Sequence, residues 1–251
     1  EGVVENLSDK DNKFLTTSTS VGAGLIKEKI FETIVAKETD KSAAILSKVM
    51  AKSDEATVSS VINNITEKNT NEESKLSLKV MADFSEKNPE KLETLVQNNA
   101  DQIDKLTTSA IEEAESSQED ADLIAKVVAV ASDELVNKVV EEVSKNSTDE
   151  NQALSAKVMK SIVETNPDKI ETLSDQNKET MISQTIEAAK NQAEGTSTDE
   201  IDLTNTIAEI ITKSDTGTAA KVLESLEEAT TDSDSKLSLS VVSNLTKQEN
   251  Y

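Results

Sequence analysis

The sequence predicts an all-α fold organised as a helical-repeat array, and three observations predict it. Val, Ile, Leu and Ala recur at helical spacing with polar residues between them. Gly (five) and Pro (two) are scarce. Blocks of sequence return at a constant offset, the one that carries Lys79 onto Lys157 and Pro89 onto Pro167. Low hydrophobicity with high net charge normally favours disorder, and only 35% of the 251 residues are apolar. Those apolar residues are phased into stripes, however, so the chain reads as folded.

Lys75-Leu-Ser-Leu-Lys-Val-Met81 and Asn88-Pro-Glu-Lys-Leu-Glu-Thr-Leu95 return as Ala153-Leu-Ser-Ala-Lys-Val-Met159 and Asn166-Pro-Asp-Lys-Ile-Glu-Thr-Leu173. The same step, 78, carries Lys48-Val49-Met50 onto Lys126-Val127-Val128, and Val61 onto Val139. Lys13-Phe14 meets Lys91-Leu92 at that step, and a third copy follows at 83, with Lys138-Val139 meeting Lys221-Val222 and Val158 meeting Val241. This phase divides the chain into the back part of a repeat (1–40), two full repeats (41–118 and 119–198) and the front part of another (199–251). An array that starts and stops mid-repeat, with Glu rather than Met first, reads as a product or excerpt of a longer array. Within each unit, Lys48-Val49-Met50 and Lys79-Val80-Met81 lie 31 apart, as do Val61 and Leu92. That sub-repeat makes each unit two helical hairpins and one further helix.

Taken in order, small residues at Val21-Gly-Ala-Gly24 open a helix over Leu25 to Lys37. Without G-x-G-x-x-G spacing or a preceding strand they are no phosphate loop, and they mark close packing or a hinge. Leu76, Val80 and Phe84 form the stripe of a later helix, and Ile103, Leu106 and Ile111 sketch another. Val139 and Val143 follow, and Leu154, Val158 and Ile162 repeat the pattern of the first stripe one unit on. Thr70-x-x-Glu73, Ser147-x-x-Glu150 and Ser197-x-x-Glu200 match the capping box that opens a helix. Asn88-Pro89-Glu90 and Asn166-Pro167-Asp168 set a cap, a first-turn proline and an acid in order. The expectation is about fourteen helices of roughly 8–17 residues with short polar links. Stacked hairpins in an α-solenoid fit the sub-repeat and the absence of Gly/Pro-rich linkers better than a string of separate bundles. The residues carry no tetratricopeptide, ankyrin or armadillo signature.

Composition removes whole classes of chemistry. All 26 basic residues are Lys against 49 acids, a net charge of −23, and Arg, His, Cys and Trp are absent. No zinc finger, Fe–S cluster, disulfide, Ser-His-Asp triad or Cys nucleophile can be assembled from such a chain. The acidity argues against nucleic acid as a partner. No uncharged apolar run approaches the roughly 20 residues of a membrane span, so no membrane insertion is expected.

Acidic clusters at Glu119-Asp120-Ala121-Asp122, Asp149-Glu150, Asp199-Glu200 with Asp202, and Asp232-Ser-Asp234 offer the oxygens Ca²⁺ takes. They coincide with expected helix N-termini, where acids interact favourably with the dipole, and no loop has EF-hand spacing, so no metal site is assigned. Paired carboxylates are unavoidable among 49 acids, but Phe14, Phe31, Phe84 and Tyr251 are too few and scattered to build a sugar platform. The recurring Lys-Val-Met/Val motif reads as a lysine whose stem covers the core edge rather than an anion ladder, with Met50, Met81 and Met159 as core fillers. Four sequons (Asn6, Asn64, Asn146, Asn244) occur as often as an Asn-, Ser- and Thr-rich chain produces by chance.

No catalytic, cofactor-binding or metal residue is therefore assigned, and an enzyme is not expected. The expected function is structural: a spacer or filament-forming segment that self-associates through repeat ends, because neither end carries a polar capping repeat. Acidity and Ser/Thr richness point to the extracellular space or cell surface, while the lack of Cys fits the cytoplasm equally. The alternative is a monomeric helical scaffold for a protein or peptide, which the missing aromatic and Arg hot spots disfavour.

Overall fold

The computed structural model describes residues 29–36, 40–68, 75–115, 117–147, 153–193, 202–229 and 236–248. Among the described residues there are fourteen helices and no strand. They fall into two compact units, the first ending at Ala114 and including 130–135, the second comprising 115–129 and everything from Val136.

The first unit holds α1 (29–35), α2 (Asp40–Lys52), α3 (Glu55–Lys68), α4 (Leu76–Lys87), α5 (Pro89–Asn98) and α6 (Ala100–Glu112). Helix α4 buries eight of its twelve residues, among them Leu76, Val80, Met81 and Phe84. A helix covered that completely belongs in the middle of a core; α4 packs against α2, α3, α5 and α6. Helix α6 in turn lies on both α3 and α4.

The second unit contains α7 (Gln118–Val130) and α8 (Asp133–Asn146), apart from 130–135, the end of α7 and the start of α8, which belong to the first. It continues with α9 (Ala153–Thr165), α10 (Asp168–Glu171), α11 (Asp175–Ala193), α12 (Leu203–Lys213), α13 (Thr216–Ala229) and α14 (Lys236–Gln248). Helix α9 takes the central part here, burying nine of thirteen residues and packing on α10, α11 and α12. Helix α11 lies against α12, α13 and α14.

Helix boundaries carry the spacing of the sequence matches. The step of 78 separates both ends of α2 from those of α7 (Asp40 from Gln118, Lys52 from Val130), and both ends of α3 from those of α8. The step of 83 separates α8 from α13 and α9 from α14, again at both ends. The matched side chains share an environment too: Leu76 and Leu154, Val80 and Val158, and Phe84 and Ile162 are all at most 1% exposed.

The match breaks at one place. Asn166-Pro167-Asp168 should open a counterpart of α5, yet α10 spans four residues where α5 spans ten. Ser174 is the cause. Its hydroxyl accepts the N–H of Asn177 at 3.2 Å and starts α11 early. The α5 position aligned with it is the buried Val96, which has no such cap to offer. As a result α11 runs 19 residues and begins 75, not 78, after α6.

The proposed caps differ as well. Asn88 precedes α5, but its side chain makes no cap bond, because the residue closes α4 at the same time. Asn166 turns its amide instead to the carbonyl of Ala129, near the C-terminus of α7, at 3.3 Å. The capping boxes at Thr70, Ser147 and Ser197 reach residues outside the described ones. Ser147 itself ends α8 and accepts the N–H of Ser155, inside the first turn of α9, at 3.1 Å.

Candidate functional site

The acidic cluster at the start of α7 is occupied with capping. Ser117 accepts the N–H of Asp120 at 3.0 Å, and Asp120, itself buried, accepts the N–H of Glu115 at 3.0 Å. Asp122 receives hydrogen bonds from Gln118 (2.6 Å) and Ser161 (2.7 Å). Asp202 caps α12, accepting the N–H of Asn205 at 3.1 Å and the hydroxyl of Thr204 at 2.6 Å. Asp149, Glu150, Asp199, Glu200, Asp232 and Asp234 lie outside the described residues, as does Val21-Gly-Ala-Gly24. Among the described residues no three acids converge as a metal site would require.

The lysines of the recurring motif do not form a uniform ladder. Lys48 and Lys126 are exposed, Lys79, Lys138 and Lys221 half-buried, and Lys157 buried. Lys79 pairs with Asp40 at 2.8 Å, Lys138 with Glu142 at 3.7 Å and Lys221 with Asp175 at 2.9 Å. Each lies next to a buried Val, which is the placement a core-edge lysine takes. Met50, Met81 and Met159 are buried in the core.

Among the described residues, two carboxylates meet at Glu171 and Asp215. One oxygen of Glu171 accepts the N–H of Asp215 at 3.0 Å, and the other faces Lys178 Nζ at 3.4 Å and the Thr218 hydroxyl at 3.3 Å. Asp215 caps α13 through the N–H of Thr218 at 2.7 Å. Its carboxyl sits below the ordinary range, through hydrogen bonding with Glu171 first and the N–H groups of Thr218 and Gly217 after it. These contacts tie the end of α10 to the start of α13, and the described aromatic residues, Phe31 and Phe84, are core residues of the other unit.

Two polar junctions, the first buried and the second half-buried, are not signalled by the sequence pattern. In the first unit Glu113 accepts the N–H groups of Ser77 (2.8 Å) and Leu78 (3.3 Å) and the Ser77 hydroxyl (2.6 Å), with Ser109 beside it at 2.8 Å. A carboxylate from the end of α6 thus caps α4. At the aligned place in the second unit, Ser155 donates to Gln184 at 2.5 Å and Gln184 reaches the carbonyl of Ser144 at 3.0 Å. A pocket of about 130 Å³ opens there, lined by Ser147, Gln184, Glu187 and Ala188. It is less than half of the smallest ordinary ligand site of about 300 Å³.

The remaining feature is apolar. Leu223 on α13 and Leu239 and Val242 on α14 are 49%, 68% and 55% exposed. Leu239 and Val242, three residues apart, share one face of α14. Their signal in the sequence is positional. At the step of 83 they align with Val140, Ala156 and Met159, all buried.

No helix of the described residues is long and apolar enough to cross a membrane. Comparison with protein-family models, with curated proteins and with solved structures finds no match for this chain.

Proposed function

We propose that this protein is a non-enzymatic structural repeat protein: a spacer or filament-forming segment of an acidic helical array, at the cell surface or outside the cell. The observation that carries this reading is the recurrence of helix boundaries at the two steps, 78 and 83, with Leu76 and Leu154, Val80 and Val158, and Phe84 and Ile162 buried alike at the first of them. In a stacked array each hairpin leans on its neighbours, so copies flanked on both sides bury the same faces. Helix pairs two apart in sequence, α2 with α4 and α4 with α6 in one unit, and α9 with α11 and α12 with α14 in the other, pack together in the manner stacked hairpins require. The reading assigns no substrate, metal or cofactor, and the charge of −23 disfavours nucleic acid as a partner.

Electron micrographs and mass measurements of the purified protein at rising concentration test this. Filaments, or oligomers that grow with concentration, are the expected result. A monodisperse 27.1 kDa particle at every concentration would overturn the self-assembling array and leave the monomeric scaffold as the better reading.

A further inference from the structure

Glu171 is the last residue of α10 and Asp215 the residue before α13, and both carboxylates converge on the first turn of α13. One oxygen of Glu171 accepts the N–H of Asp215, and Asp215 accepts the N–H of Thr218. The hydroxyl of the buried Thr218 meets the other oxygen of Glu171. These contacts close a ring that holds the two carboxyls side by side. Like charges so placed disfavour each other unless a cation or a proton intervenes. The cation is Lys178 of α11, itself buried, at 3.4 Å from Glu171. Neighbouring lysines have other partners. Lys221 on α13 pairs with Asp175 of α11, where Glu179 also acts on it. Lys160 of α9 and Lys213 of α12 pair along their own helices with Glu164 and Glu209. Asp168 and Lys169 share α10 with Glu171. Two carboxylates and one lysine leave the ring one positive charge short.

Where a proton would sit follows from the bonds. Asp215 uses its charge in capping: the N–H groups of Thr218 and Gly217 both favour its ionised form. Glu171 meets Lys178 and the Thr218 hydroxyl at the longer distances of 3.4 and 3.3 Å. A proton on Glu171 turns it from an acceptor into a donor toward Asp215, at the cost of the looser contacts. We propose that Glu171 is the proton carrier of this junction: in acid it takes a proton from the medium and donates it in a hydrogen bond to Asp215, which keeps α13 capped. The depressed carboxyl of Asp215, with Glu171 as its first cause, is in keeping with that arrangement. A lowered carboxyl stabilises the fold above its unfolded value and loses that contribution only as pH falls through the folded one. The start of α13 is therefore built to stay closed while the pH passes through the ordinary carboxylate range of about 4.

Carboxyl-carbon NMR titration of the full chain tests the proposal in the wild type, Glu171→Gln and Glu171→Met. Gln donates to Asp215 without titrating, whereas Met keeps the stem and removes the donor. The Asp215 midpoint should stay low in the wild type and in Glu171→Gln. In Glu171→Met it should rise by at least about half a pH unit, roughly threefold in proton affinity. The two wild-type carboxyls should each report the titration of the other, and Asp215→Asn should reduce the Glu171 curve to a single step. Helical content at pH 7 confirms that each variant is folded before it is titrated. An Asp215 midpoint that is the same in the Met variant as in the wild type would overturn the proposal. So would a Gln variant that behaves like Met, independent single-step curves for the two wild-type carboxyls, or unfolding of wild-type α13 as the pH passes through about 4.

Discussion

Buried hydroxyls show how far a single residue can be read. Ser77 and Ser155 lie 78 residues apart, and both are fully buried. A sequence shows a serine among aliphatics; it does not show that Glu113 waits on another helix to accept its hydroxyl and its N–H. Such partners are set by tertiary approach, which spacing along a helix cannot report. Exposed charges are simpler. Asp175 lies below its usual pKa because Lys221 hydrogen-bonds it and adds its charge, and Lys221 is raised mainly by the same bond. A lowered carboxyl stabilises the fold above its unfolded pKa and loses that contribution as pH falls through the folded one. Raised Lys221 works oppositely: its share is present below about 10.4 and lost above the folded value. Comparing urea midpoints of wild type and Asp175→Asn cancels most of the general charge effect. The wild type should lead at neutral pH, and the gap should close as pH falls below about 4. A gap that widens on acidification would remove the pair from the account.

At the scale of the element, most boundaries were legible, because an apolar stripe and a polar link recur together. The first turn of each α3-type helix shows the limit. Asp54, Ser132 and Asp215, 78 and then 83 residues apart, immediately precede α3, α8 and α13. Asp54 accepts the N–H of Thr57 at 2.9 Å and Asp215 that of Thr218 at 2.7 Å, whereas the Ser132 hydroxyl has no hydrogen-bond partner. Asp54→Ala should therefore cost about 0.5–2 kcal/mol, the usual value of an N-cap, and Ser132→Ala should be close to neutral. Denaturant unfolding of both variants checks this; equal losses would mean that the cap bond is not what distinguishes the sites. The short α10 makes a related point. Its truncation depends on the Ser174 cap together with Asn137, which accepts the N–H of Ser174 at 2.6 Å and donates to the carbonyl of Thr172 at 3.0 Å. The Asn-Pro motif announced a helix start in both copies, and only these contacts decide how long the helix runs.

For the whole molecule, charge is the property that sequence and structure describe in the same terms. Twenty-six lysines cannot neutralise 49 acids, so local ion pairs such as Lys79–Asp40 leave a large surplus of like charge. Exposed pairs are worth about 0–1 kcal/mol each. Self-repulsion, by contrast, acts over the whole surface and destabilises any compact state. Raising NaCl from about 0.01 M to 0.1 M shortens the screening length from about 30 Å to about 10 Å, which weakens distant repulsion far more than contacts of about 3 Å. The two contributions have opposite signs, so one titration decides between them. Measured at low protein concentration, the melting temperature should rise with NaCl. A gain of each kcal/mol would appear as roughly 2–4 °C for a chain of this size. A melting temperature that falls as NaCl is added would mean that ion pairs, not the surplus acid, dominate its electrostatics.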